Sequence, residues 1–486
     1  MARRRYNNHL CREGERQEMN MRAICPGLVG SLSILISAAC FGQECDSIGP
    51  DAYLGGIPAI ANYSAIAGWE SVSFGTIVCN IGDAEVDFVH NTNRHPIIGF
   101  NVYRLKTTSG VARFDQVGQG WLFHEFLALS NAQCCSDCQP TNGSTLGIHC
   151  SSPDSASITG QTARLGPRWQ VNAFTGEFVM PFANPPVSGN QRRVEMRIED
   201  IEPTAGGTRY FAEQFVIAPD DAQAGNGLNN ATWREMAVTG SGSAWTFSLL
   251  GGSHPGEPIL EAWRSARPDV ELIEISVPDE GRFVLGVEVT PLEDGNYSYQ
   301  YTLYNANSHR AARSVAIAAR PITEVTQPEF RDVDYRGGDG ENNTNVDGAD
   351  WPFARTATEI RWDGPTYQQN ANGNALRFGT AYRFGFVANA PPARGRLELG
   401  LFRLGSPDSV VVDVPAPRSF RVGDLNCDGT VNNFDIDAFV AALSDPAAYE
   451  AQYPDCDRML ADINADGLVN NFDIDLFVVC VANGGC

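Results

Sequence analysis

The chain has 486 residues, 43% apolar and 19% charged, with 48 Gly and 28 Pro; that is enough for two or three domains with their own cores, and fits neither a disordered chain nor a disulfide-only miniprotein. Acidic residues outnumber basic ones by 58 to 35, a formal net charge of −23, and such a surface repels phosphate, which excludes nucleic acid as a main partner. Lys106 is the only lysine, so there is no GK[ST] phosphate loop and little scope for Schiff-base chemistry.

Residues 1–43 read as an N-terminal extension and signal peptide. Arg22 precedes an apolar stretch rich in small residues, Ala23 to Ala39, the layout of a secretory signal. Residues 1–18 are polar and Arg-rich, which points to translation starting at Met19 or Met21. The stretch contains Pro26, Gly27 and Gly30 and falls short of the ~20 strongly apolar residues of a spanning helix. The expectation is a secreted protein, extracellular or at the cell surface, with no transmembrane span. A lipoprotein alternative would acylate Cys40, after Ser37-Ala38-Ala39.

Of the 13 cysteines, Cys11, Cys25 and Cys40 belong to the extension and signal. The others fall into two groups: Cys45, Cys79, Cys134, Cys135, Cys138 and Cys150, then Cys427, Cys456, Cys480 and Cys486. In an exported chain an even set of cysteines reads as a disulfide framework, and spacing does not choose among the pairings. Cys134, Cys135, Cys138, His149 and Cys150 could instead ligate a metal, but only one of the two knuckles of a zinc ribbon is present.

The body divides into a β-rich, cysteine-containing domain at 44–265 and a β-sandwich at 266–418. Its apolar pattern is mostly period two, as in Arg282 to Thr290, Tyr297 to Tyr304 and Arg396 to Phe402, broken by Gly, Asn, Asp and Pro. That pattern predicts antiparallel sheets. Pro258 to Ala266 is the best helical candidate before the tail. No catalytic constellation is specific. His124-Glu125 begins like HExxH but Ala128 stands where the second histidine belongs. His90 and His95 lack helical ligand spacing and read as loop caps or bridges. Ser253 has Pro255 where a nucleophile elbow needs glycine. Acidic pairs such as Glu199-Asp200 and Asp220-Asp221 could serve glycoside hydrolysis, but in so acidic a chain a solvated face is the default. Two Asn/Asp/Gly-rich stretches, Asp220 to Asn230 and Asp332 to Asp350, read as polar turns or, more sharply, as calcium loops. Trp351, Trp362 and Tyr367 read as core, with a sugar platform as the alternative.

The tail, 422–486, contains a duplication. Asp424 to Phe439 repeats in the same frame as Asp462 to Phe477. With Asp424 and Asp462 as position one of a twelve-residue loop, side-chain oxygens fall at positions one, three and five: Asp424, Asn426, Asp428 and Asp462, Asn464, Asp466. Gly429 and Gly467 stand at six, Thr430 and Leu468 at seven supply a backbone carbonyl, and Asp435 and Asp473 close the loops. Alternate spacing turns hard oxygens toward one cation and selects Ca2+, giving two sites. An apolar helical stripe follows each loop: Phe434, Ile436, Phe439, Val440 and Leu443, then Phe472, Ile474, Phe477 and Val478.

A loop plus following helix, duplicated at the C-terminus of a secreted chain, resembles the type I dockerin family, whose DxNxDGxVNxxD pattern is matched in both copies, including Asn432 and Asn470 at position nine. The resemblance covers about residues 422–486. It implies an EF-hand-like, calcium-dependent fold and docking onto a cohesin-type or other envelope protein, often within an extracellular polysaccharide-degrading assembly. At positions ten and eleven, where the family commonly carries Ser/Thr, this chain has Asn433-Phe434 and Asn471-Phe472. A bridge from Cys427 to Cys456 fits this arrangement, with Cys480 and Cys486 stapling the end. The function expected is thus a secreted calcium-binding protein with a dockerin-like attachment module and a non-catalytic body. The alternative is a polysaccharide-active hydrolase or carbohydrate-binding subunit.

Overall fold

A computed structural model describes residues 45–486 except 126, 187–188, 203–206, 320–322, 336, 418–420 and 455; the expected signal peptide, start codon and Cys40 lipidation lie outside the described residues. The protein is mainly β, built from several antiparallel sheets. In the first part of the body one large sheet runs in the order Ala244–Leu249, Ala231–Ser241, Thr208–Ile217, Ile97–Thr108, Val111–Gln119, Val194–Arg197, Trp69–Phe74, Ile60–Ile66. It curls until its end strands meet, where Asn62 Nδ2 donates to the Trp245 carbonyl at 2.7 Å. A three-stranded sheet, Ala52–Gly56, Thr76–Asn80 and Ser151–Asp154, lies in the same part.

Strand periodicity explains how the large sheet packs. On Thr208–Ile217, Tyr210, Ala212 and Val216 enter the first core, with Val72, Phe74, Phe100 and Val102. The alternate residues Phe211 and Phe215 face the other way and are buried too. A strand buried on both faces carries an almost continuous apolar run rather than a clean alternation. The cover on the second face comes from the helix Leu260–Ala266, from Val171, Ala173 and Phe178, and from the sandwich that follows, through Val284, Tyr304, Phe378 and Ala381.

The second part of the body is a sandwich of two five-stranded sheets. One has the order Glu271–Val277, Gly281–Pro291, Tyr297–Asn305, Thr380–Ala388, Val325–Arg331; the other Phe353–Arg355, Glu359–Asp363, Ala312–Ala318, Pro392–Leu401, Ser409–Pro417. Along Tyr297–Asn305, Tyr299, Tyr301 and Leu303 point into its core, and the two tyrosine hydroxyls donate to the carbonyls of Ala390 and Pro415, each at 2.7 Å. The intervening residues face the first domain, where Thr302 Oγ1 donates to the Phe114 carbonyl at 2.9 Å. Trp351 and Trp362 are core residues, so the sugar-platform alternative does not hold for them.

The predicted helix forms at Leu260–Ala266 and places Trp263 flat against Phe114, ring centroids 5.9 Å apart and planes within 4°. Gly286 makes room for it, since a Cβ there would meet the indole at 2.9 Å. Beside this contact runs a ladder of alternating charges. Arg104 bonds Asp115 at 3.1 Å and Asp200 at 3.0 Å, Arg331 reaches Asp200 at 2.7 Å, and Arg383 reaches Asp115 at 2.6 Å and also Glu329, which pairs with Arg113. Arg104, Arg113, Asp115 and Asp200 come from the first part of the body; Glu329, Arg331 and Arg383 come from the sandwich.

Among the described residues five disulfides are present: Cys45–Cys135, Cys79–Cys134, Cys138–Cys150, Cys427–Cys456 and Cys480–Cys486. The metal alternative for the first group therefore fails, because its thiols are bridged and His149 instead pairs with Asp137 at 2.8 Å. Such a set belongs to an oxidising, extracytoplasmic compartment. Among the described residues no helix is long and apolar enough to cross a membrane.

Asp115 carries the first prediction. Burial would raise its carboxyl, but Arg383, then Arg104 and Arg331, outweigh burial and hold it at about 2, below its ordinary 3.8. A depressed carboxyl stabilises the fold above its unfolded value, and that stability disappears as pH falls through the folded value. Asp115→Ala leaves two buried guanidiniums without their shared partner and lowers stability in urea by about 3–5 kcal/mol at pH 7. The parent loses this advantage between about pH 4 and pH 2. A variant as stable as the parent at pH 7 would show the ladder to be dispensable.

Candidate calcium-binding loops

The two tail loops share most of their hydrogen bonds. The position-six glycines adopt left-handed backbone, φ +94° at Gly429 and +85° at Gly467, and donate their N–H to the position-one carboxylates, Asp424 Oδ2 at 3.0 Å and Asp462 Oδ2 at 2.9 Å. Asn426 Oδ1 and Asn464 Oδ1 accept from the N–H of Asp428 and Asp466, both at 2.9 Å. Asp428 Oδ1 and Asp466 Oδ1 accept from the N–H of Thr430 and Leu468, both at 2.9 Å. Every predicted ligand therefore lies on a loop that winds in on itself, as Asx side chains bonding forward along the backbone require.

Asp435 and Asp473 close each loop onto the next helix. Asp435 accepts the N–H of Asn426 at 3.0 Å and of Asn432 at 2.9 Å; Asp473 accepts those of Asn464 at 3.2 Å and Asn470 at 2.9 Å. Asn432 and Asn470 accept in turn from Phe434 and Phe472, completing capping boxes. Position nine is thus a helix cap, a role the ligand pattern does not announce. The helices Ile436–Ser444 and Ile474–Asn483 follow, and Phe439 and Phe477 stack across them at 3.9 Å and 3°.

The apolar stripes predicted for these helices split. Phe439, Phe477 and Ala442 are core, with Leu443 packed against them, whereas Ile436, Val440, Ile474 and Val478 are exposed and Phe434 and Phe472 are 71% and 73% exposed. Asn432 and Asn470 cap short 3-10 turns, Asn433–Asp435 and Asn471–Asp473, and these carry the two exposed phenylalanines ahead of the α-helices that bury Phe439 and Phe477.

The donor set fits a hard cation. Asp424 is 0% exposed and its Oδ1 is buried with no hydrogen-bond partner. Burial, then the charges of Asp435 and Asp428, push its carboxyl up to about 6, and a cation would relieve both effects. Among the described residues no group of three His, Cys, Asp or Glu side chains is gathered tightly enough to hold a metal unaided. These loops reach calcium's six to eight oxygens only by adding Asn amides and a backbone carbonyl. Asp424, Asn426, Asp428, Thr430 and Asp435 would hold one ion, and Asp462, Asn464, Asp466, Leu468 and Asp473 the other.

The body's candidates resolve differently. Asp220 and Asp221 sit on a helix, Pro219–Ala224, and act as latches: Asp221 accepts from the Ala52 N–H at 3.0 Å and from Asn230 Nδ2 at 2.8 Å, and Asp220 from the Asp87 N–H at 2.7 Å. In the second stretch Asp332 accepts from Asn374 Nδ2 at 2.6 Å and Asp347 from the Ala349 N–H at 3.1 Å. Both stretches are polar connections. His95 bridges its loop, bonding the backbone at Val89 and Thr92, and is also fully buried, with Nε2 2.9 Å from His124 Nδ1.

No protein-family model matches the chain, nor does any curated protein. Two solved structures similar to it are a serine-rich repeat adhesion glycoprotein from Streptococcus agalactiae and an exo-chitosanase from Amycolatopsis orientalis. The first is 7% identical over 71% of this chain and 88% of that one, TM-score 0.18. The second is 9% identical over 71% of this chain and 25% of that one, TM-score 0.14.

Asp424→Asn tests the buried carboxylate. With chelator the variant is expected to melt at or above the parent's temperature, because a buried, unpartnered charge is gone; with millimolar calcium it gains less than the parent. A lower melting temperature in chelator together with an unchanged calcium gain would make Asp424 a purely structural residue.

Proposed function

We propose that this is a secreted calcium-binding protein that uses a dockerin-like C-terminal module for attachment or assembly outside the cell, while its β-sandwich body acts as a non-catalytic scaffold. The observation that carries the reading is the unpartnered, buried Asp424 Oδ1 inside a loop whose Asx and glycine frame occurs twice. Ca2+ supplies the missing counter-charge and folds each loop onto its helix. The exposed Phe434 and Phe472, with acidic loops beside them, offer apolar anchors to a cohesin-like or other envelope protein; exposed apolar residues of this kind mark contact surfaces.

The full chain is immobilised and exposed to envelope extract and culture fluid, with calcium and then with chelator. A protein retained only with calcium, and lost with Asp424→Ala plus Asp462→Ala, is the expected result. If the double variant keeps the parent's calcium response in circular dichroism, the calcium reading is overturned; if calcium orders the tail and nothing is retained, attachment is.

A second reading, a carbohydrate-binding body, has one observation in its favour. An open cleft of about 380 Å³ is lined by Trp233, His254, Glu257, Glu261 and Arg264. His254 lies flat on Trp233 at 3.7 Å, and the indole N–H donates to Glu257 at 3.1 Å. Stacked rings beside carboxylates suit a sugar's apolar face and hydroxyls. On that reading the parent is retarded in affinity electrophoresis on a polysaccharide panel and His254→Ala is not; equal mobility on every gel would remove it.

A further inference from the structure

We propose that the two loops are unequal calcium sites, the first the tighter, and that this advantage depends on the Cys427–Cys456 disulfide. The inference rests on the calcium reading above and adds an ordering of the sites and a covalent control over one of them.

The ligand sets are matched position for position, so ligand chemistry alone does not separate the loops. Their surroundings do. Cys427 is position four of the first loop, between the side-chain ligands Asn426 and Asp428, and holds left-handed backbone at φ +59°. The second loop has Ala465 there, at φ +57°. One conformation is thus demanded in both copies, and it is one that non-glycine residues adopt reluctantly. Only the first copy is tethered at that point, by a bridge to Cys456. Cys456 follows the helix Pro446–Gln452, from which the buried Tyr449 donates its hydroxyl to the carbonyl of Leu425, position two of the same loop, at 2.9 Å.

The first loop is therefore pinned on both sides of Asn426. A binding loop already ordered in its bound shape gives up less conformational freedom when the ion arrives, which is the source of affinity gained by pre-organisation.

A second difference acts in the same direction. Asp424 is fully buried, with one carboxylate oxygen unpartnered. Its counterpart Asp462 is half-buried and has a donor on each oxygen: the Asp466 N–H on Oδ1 at 3.1 Å and the Gly467 N–H on Oδ2 at 2.9 Å. An ion in the first loop satisfies a stranded carboxylate oxygen, whereas the corresponding oxygen in the second already has a donor.

Calorimetric titration of the full, oxidised chain with calcium chloride tests this. Two steps at least about tenfold apart in affinity are expected. Asp424→Ala removes the tighter step and Asp462→Ala the weaker. Cys427→Ser with Cys456→Ser keeps both steps but narrows the gap by at least about threefold, and Tyr449→Phe, which deletes one hydroxyl and leaves the bridge intact, shifts the first step in the same direction. If the double cysteine variant does not fold, the two aspartate variants and Tyr449→Phe still decide the order and its cause. Two equal steps, a tighter step lost in Asp462→Ala, or a gap unchanged in both tether variants would overturn the proposal while leaving calcium binding in place. A parent that takes up no calcium would overturn both.

Discussion

Asp115 is the constraint on which the body's arrangement depends. It is a fully buried carboxylate whose charge is tolerated only because Arg104 of its own domain and Arg383 of the next one converge on it. Removing either side of such a set leaves a charge in a low-dielectric interior, which costs far more than a surface pair contributes. The network therefore makes the large sheet and the sandwich each other's requirement. It also selects one docking geometry, because Arg383, Arg331 and Glu329 must meet their partners simultaneously, while the Trp263–Phe114 stack beside it supplies non-directional apolar burial.

This docking explains why the large sheet has two buried faces. From Tyr210 onward the strand Thr208–Ile217 is buried on both sides, and polar groups on its inner face need internal partners. Glu213 accepts from Asn101 and from the Tyr103 hydroxyl, both at 2.8 Å, and Arg168 spans the boundary to the Gly379 carbonyl at 3.0 Å. Burial nonetheless raises the Glu213 carboxyl to about 7. The domain interface is thus electrostatically divided: Asp115 is held ionised by cations, whereas Glu213, surrounded by neutral donors, has its charged form disfavoured.

The tail follows a different logic, in which short-range rules settle nearly everything. Asx side chains bond forward by two residues, glycine takes the left-handed position, and Asn at position nine caps the helix. Each operates within a twelve-residue frame and so gives the same loop twice. What differs between the copies comes from elements distant in sequence, the helix carrying Tyr449 and the bridge from Cys456.

Local chemistry was legible in the residues: period-two strands, the division of the cysteines into two sets, the turn-rich connections, and the Asx and glycine frame of both tail loops. These are rules of neighbouring side chains and backbone, and they need no knowledge of what packs against them. The residues alone did not show that Asp220 and Asp221 hold main-chain N–H groups, that His95 faces His124 in a dry interior, or that Phe434 and Phe472 stand outside the core while Phe439 and Phe477 stack within it. Nor did they show the ladder through Asp115. The physical reason is the same in each case: a carboxylate, an imidazole or a phenyl ring takes its role from what surrounds it. Here those surroundings are assembled from strands and helices far apart in the chain, so only the tertiary structure decides them.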